Sequence, residues 1–158
     1  QTVLQEFSAA RAREGEKTRE FLLQRVEKIE ALRDGVMPHV PAAIAAFEQK
    51  LAARLREAVK NVPAQDVWDE RIRQEITLFA GKIDVDEELS RLASHLTEMR
   101  RILAHGGAVG KRLDFLMQEL NREANTLGSK SADAETTRHA VDIKVLIEQI
   151  REQVQNVE

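Results

Sequence analysis

Turn-forming residues are scarce in this chain. Seven glycines and three prolines among 158 residues leave too little material for the many tight turns of a sheet protein. The apolar residues recur at helical spacing instead: Phe21, Leu22, Val26, Ile29 and Leu32, then Ile44, Phe47, Leu51, Leu55 and Val59. The glycines and prolines therefore act as punctuation. They predict a long helix over about 1–33, strained at Gly15 and closed at Asp34-Gly35 by a left-handed glycine cap. Pro38 and Pro41 bracket the next start, giving a helix over about 41–61 that Pro63 breaks. Further helices are expected over about 64–81, 84–104 and 110–127, stopped by Gly81, by His105-Gly106-Gly107 and by Gly128. Ser131 or Asp133 caps a last helix over about 133–157. The fold class is all-α: an elongated bundle of about six helices with a long N-terminal helix. Residues 1–65 read as a helical connector and 66–158 as the part that carries the motifs.

Composition bounds the function. Charged residues at 32% and hydrophobic ones at 42% permit a packed core and exclude a fully disordered chain. No cysteine is present, which excludes disulfides, thiolate zinc sites and cysteine nucleophiles. No apolar run approaches the roughly 20 residues a membrane span needs, and no secretory signal is visible, so a cytoplasmic protein without a membrane partner is expected. The opening Gln1-Thr2-Val3-Leu4 lacks a methionine and reads as mid-helix, which suggests a piece of a longer chain.

The formal net charge of -3 does not by itself indicate nucleic acid, but charge is unevenly spread. Residues 66–90 are acid-rich (Asp66, Asp69, Glu70, Glu75, Asp84, Asp86, Glu87, Glu88), whereas residues 100–130 are basic on balance (Arg100, Arg101, Lys111, Arg112, Arg122, Lys130). An acidic cluster beside a basic one suits a metal-dependent site acting on a phosphodiester; ion pairs between solvated helix faces are the plainer reading. On the fourth helix Asp84, Glu88, Arg91 and His95 share one stripe beside the apolar Leu89, Leu92, Leu96 and Met99. Such a set can bind a divalent cation or supply a general base, or be ordinary helix-start acids and ion pairs. On the fifth helix Asp114, Gln118, Asn121, Arg122 and Asn125 lie opposite Leu113, Leu116, Met117 and Leu120. Asn and Asp are weak helix formers, so this face is either a nucleotide-contacting surface or a buried polar network between helices or across a subunit boundary. On the last helix Lys144, Glu148, Arg151, Glu152 and Gln155 face away from a core stripe ending at Val157. Trp68 and the five phenylalanines lie mostly at core spacing, so no aromatic platform for stacking bases is expected.

Several stretches resemble one family in particular. They are KIDVDEELSRL over 82–92 with Ser94-His95, VGKRLDFLMQE over 109–119, NREANTLGSK over 121–130, and KVLIE over 144–148 running on to REQVQNVE over 151–158. In that order they resemble the C-terminal domain of the YicC/YloC bacterial endoribonucleases, densely over about 75–158. Arg13-Glu14-Gly15 is similar to an element of that family's helical connector.

The resemblance implies a cytoplasmic enzyme that cuts single-stranded RNA, small regulatory RNA included, rather than DNA. It implies a divalent metal, magnesium or manganese, and a homo-oligomer, with hexamers expected of the full-length protein. It also implies an N-terminal domain beyond this chain. Motif membership together with the helix faces gives the candidate residues. His95, Glu88, Asp114 and Glu119 are assigned to catalysis, with His95 as general acid or base. Asp84, Glu87, Glu88, Glu119 and Glu123 are assigned to the metal. Arg91, Lys111, Arg112, Arg122, Asn125 and Lys130 are assigned to RNA. The alternative is an oligomerisation and RNA-docking scaffold whose charged motifs are ion pairs. The length of the first helix further suggests that Phe7, Phe21, Leu22, Val26 and Ile29 are left for another chain to cover.

Overall fold

A computed structural model describes residues 2–63, 65–107 and 109–155. They form six helices: α1 (Thr2–Val36), α2 (Val40–Val59), α3 (Gln65–Ile83), α4 (Asp86–His105), α5 (Gly110–Lys130) and α6 (Ala134–Gln155). The all-α expectation holds, long first helix included. In the body of the molecule α1 packs against α4 and α6, and α5 packs against the same two helices. The other pair, α2 and α3, packs mainly on itself. At its base Val40 and Ile44 close a small gap with Ile83, Val85 and Thr136.

Leu92, Leu96 and Met99 of α4, Leu120 and Leu127 of α5, and Ile143 and Ile150 of α6 are fully buried. Val26 and Ile29 of α1 join them at 0% exposure, and Leu22 is buried too. These three α1 residues are thus covered within the chain, not by another one, because α4 and α6 reach the second half of α1. Each contributes about 1.5–3 kcal/mol by leaving water. The exposed apolar residues of α1 lie nearer its start: Val3, Leu4 and Phe7. None of the aromatic residues reaches the fully buried core. Phe21, Phe47, Phe79 and Trp68 are half-buried, and Phe7 and Phe115 are exposed. Val157 lies outside the described residues.

The helix ends differ from expectation where packing overrides local signals. The helix α1 runs straight through Gly15 and Gly35, and a 3-10 turn over Met37–His39 leads directly into α2. Gly35 is not a left-handed cap. A Cβ there would lie 3.2 Å from Nε2 of His139, so close approach of α6 is the use of that glycine. Gly81 and Gly128 likewise sit inside helices. A Cβ at Gly128 would lie 3.5 Å from Cβ of Ala140 in α6, an ordinary contact, and α5 continues past it to Lys130. The glycines that do adopt positive φ are Gly106 and Gly107, at 66° and 87°, in the turn between α4 and α5. That turn reverses the chain and sets α4 and α5 antiparallel, side by side.

At the start of α6, Asp133 is the N-cap: its Oδ1 accepts the N–H of Thr136 at 2.8 Å. Burial pushes its carboxyl up, but the hydrogen bonds from Thr136 and the Glu135 backbone, with His39 nearby, hold it below the usual range. Asp133→Ala is expected to lose about 1 kcal/mol at neutral pH. Because the folded-state pKa is the lower one, the contribution is present above the ordinary Asp value of about 3.9 and fades as pH falls below it. Urea midpoints of the two proteins should therefore converge below pH 4; a constant gap from pH 7 to pH 3 would refute the charge-assisted cap.

Candidate functional site

Antiparallel α4 and α5 present a polar seam along one side of their contact, and its rungs pair residues at nearly equal distances from the glycine turn. Nearest the turn, Arg112 donates to Glu98 at 3.0 Å. A hydrogen bond from Arg101, opposed by desolvation, together with the charge of Arg101 and then that of Arg112, holds the Glu98 carboxyl below its usual range. Next come His95 and Glu119, then Arg91 and Glu123, 3.5 Å apart. Farthest from the turn, Lys130 meets Glu88 at 2.9 Å.

The middle of the seam holds the candidate site. One ligand atom each of His95, Glu119 and Glu123 lies within 4.8 Å of the others. His95 and Glu119 are half-buried and Glu123 is 2% exposed. The two glutamates stand four residues apart on α5, so their carboxylates face the same groove, a mildly repulsive arrangement unless a cation lies between them. A cluster of one imidazole and two carboxylates, with no thiol, suits a borderline-hard divalent ion. Arg91 sits at the edge of the cluster with its side chain 47% exposed, held by Glu87 one turn earlier and by Glu123 across the groove. The charges of Glu87 first and Glu123 second raise its pKa further above the already high arginine value.

The remaining candidates are placed as follows. Glu88 is 4% exposed; Lys130 neutralises its Oε1, while its Oε2 is buried without a hydrogen-bond partner. Lys130 also donates to the Asp84 carbonyl at 3.3 Å. The Asp84 carboxylate is turned to the start of α4, accepting the N–H of Asp86 at 3.0 Å. The acids Asp84, Glu87 and Glu88 thus take their partners from their own helix and from Lys130, and the described cluster comprises His95, Glu119 and Glu123. Asp114 is exposed and accepts a hydrogen bond from Gln118 at 3.0 Å. Lys111, Arg122 and Asn125 are exposed on α5. The polar face of that helix is therefore open surface in this chain, not a network between its helices. On α6 Glu148 pairs with Arg151 at 3.6 Å and takes no part in the described cluster. His95, on a stripe whose spacing left both cation binding and acid–base work open, lies with Glu119 and Glu123 in a cluster whose atoms could hold a cation. Its position opposite Glu119 across a short turn is the sequence signal that could have found this pairing.

Residues 36–158 match the family model described as endoribonuclease YicC-like, C-terminal. The chain belongs to that family. It is 48% identical over 156 residues to a protein of Haemophilus influenzae named probable endoribonuclease YicC, covering 99% of this chain and 53% of that protein. A Clostridioides difficile protein of the same name is 32% identical over 148 residues, covering 94% of this chain and 50% of its own length. The chain therefore spans about half the length of the curated relatives it matches. All four clustered and flanking seam residues, His95, Glu119, Glu123 and Arg91, fall inside the segment matched by the YicC-like family. Among the described residues no helix is long and apolar enough to cross a membrane.

Proposed function

We propose that this chain contributes the metal-binding part of an endoribonuclease that cleaves single-stranded RNA, small regulatory RNA included, in the cytoplasm. The observation that carries the reading is the convergence of His95, Glu119 and Glu123 ligand atoms within 4.8 Å, in a chain of the YicC-like family. The donor set fits magnesium or manganese, and its imidazole tilts the preference toward manganese. When bound, such an ion supplies Lewis-acid stabilisation of charge on a phosphodiester and lowers the pKa of a coordinated water. The protein groups do the rest. Glu123, the most buried of the three, is held in place by Arg91. Arg91, half free to solvent, presents a planar fork that matches a phosphate's two oxygens. Lys111 and Arg122 on the open face of α5 hold the backbone on either side. In this reading the outer rungs, Glu88 with Lys130 and Glu98 with Arg112, are structural. They fix the register of α4 on α5, so that the three ligands meet.

Titration calorimetry with manganese should give saturable binding to the chain, weakened at least about tenfold by Glu119→Gln. Glu119 is half-buried and unburdened by an ion pair among the described residues, so the variant should fold normally. Heat no greater than dilution for the unmodified chain would remove the metal from this site.

A further inference from the structure

Phe115 breaks the pattern of its helix. Its neighbours Leu113, Leu116 and Met117 are buried, yet its own ring is 59% exposed. At about 100° per residue, Lys111, Phe115, Gln118 and Arg122 fall within an arc of roughly 60°, so one exposed stripe of α5 carries an aromatic ring with a cation about one turn before it and another two turns after. Neither cation is engaged by a carboxylate among the described residues; Asp114, three residues from Lys111, accepts a hydrogen bond from Gln118 instead. Glu119 of the cluster is four residues beyond Phe115, which places their Cβ atoms about 6 Å apart. The stripe therefore runs alongside the seam, with the ring next to the ligand set.

An exposed ring flanked by two free cations fits a particular chemistry. Phosphates of a nucleic-acid strand meet the cations, and a base lies flat on the ring. Only an unpaired base can do so, because a duplex keeps its base faces inside its own stack. We propose that Phe115, with Lys111 and Arg122, is a stacking site for an unpaired RNA base beside the His95–Glu119–Glu123 cluster, and that it makes the protein select single strands. This inference rests on the RNA reading above. Phe115 recognises that the strand is open; the cluster performs the chemistry. A second copy of the chain covering the ring is the competing occupant, and the experiment separates it.

Binding is measured by fluorescence anisotropy of an end-labelled single-stranded RNA and of a blunt duplex of the same length, in EDTA so that no cleavage intervenes. Phe115→Ala should weaken the single strand by about fivefold to a hundredfold, leave its salt dependence unchanged, and leave the duplex untouched. Phe115→Trp should keep the affinity. Lys111→Gln and Arg122→Gln should each lower the slope of log affinity against log salt by about 0.7. Unchanged single-strand binding by Phe115→Ala, or equal loss for strand and duplex, overturns the stacking site and leaves the metal reading standing. So does a lighter sedimenting species for Phe115→Ala, which assigns the ring to a contact between copies. If the unmodified chain binds neither RNA, the stacking site and the RNA reading fall together.

Discussion

Replacing Lys130 by methionine is expected to destabilise the fold by about 2–4 kcal/mol. The Glu88 carboxylate would stay buried with its only described cation gone and its second oxygen already without a partner. Removing one member of a buried ion pair typically costs about 3–5 kcal/mol, because the charge left behind is uncompensated. The lower figure applies here since the Lys130 side chain is 30% exposed, so some water can replace it. For a chain of this length such a loss lowers Tm by roughly 5–12 °C. The partner variant decides the cause. Glu88→Gln with Lys130→Met removes both charges and should recover most of the loss, whereas two independent packing defects would add. Wild-type Tm for Lys130→Met would mean that the pair does not hold α5 to the start of α4, and would return Lys130 to the residues available for RNA.

The helical class was legible because it depends on a global property, the 3.6-residue recurrence of apolar residues uninterrupted by turns. Helix ends were less so, because the same residue type serves different ends. Gly106 caps α4 with positive φ as its position suggests, but Gly35 and Gly128 are where α6 comes close, through His139 and Ala140. Nothing local to Gly35 encodes His139, more than a hundred residues away. The candidate site shows the same division. Density of acids drew attention to Asp84, Glu87 and Glu88, but whether a carboxylate is available depends on what faces it. Arg91 meets Glu87, Lys130 meets Glu88 and the Asp84 carboxylate accepts the N–H of Asp86, whereas Glu119 and Glu123 face His95, with Arg91 at the edge beside Glu123. That pairing was in fact readable. Two helices joined by a short glycine turn must run antiparallel, and residues equidistant from the turn then meet: 95 with 119, 91 with 123. Phe115 was misjudged for a simpler reason. Adjacency to leucines in sequence does not place a residue on their face; at 100° per residue it lies well off the stripe of Leu113, Leu116 and Leu120.

The cluster itself admits a sharper test than loss of metal. Glu123→Gln keeps the shape of the side chain and removes the charge that serves both the proposed ion and Arg91. In the full-length context, RNA cleavage should fall by at least about a thousandfold, since metal stabilisation of a phosphodiester transition state contributes several kcal/mol and each 1.36 kcal/mol is a factor of ten. The loss should appear in kcat, with RNA affinity little changed, because the proposed strand contacts are Lys111, Phe115 and Arg122 and not a buried carboxylate. Arg91→Gln should behave differently. It keeps all three candidate ligands but takes the charge partner from Glu123, and it removes the proposed phosphate contact, so it should lower the salt dependence of binding and slow cleavage less than Glu123→Gln does. Excess manganese should rescue part of the Glu123→Gln defect, because a weakened site is refilled by mass action, and a smaller part of the Arg91→Gln defect, which includes the lost phosphate contact. If Glu123→Gln cleaves at the normal rate while Arg91→Gln is inactive, the chemistry does not pass through this ligand set. The seam would then be a clamp for phosphate alone.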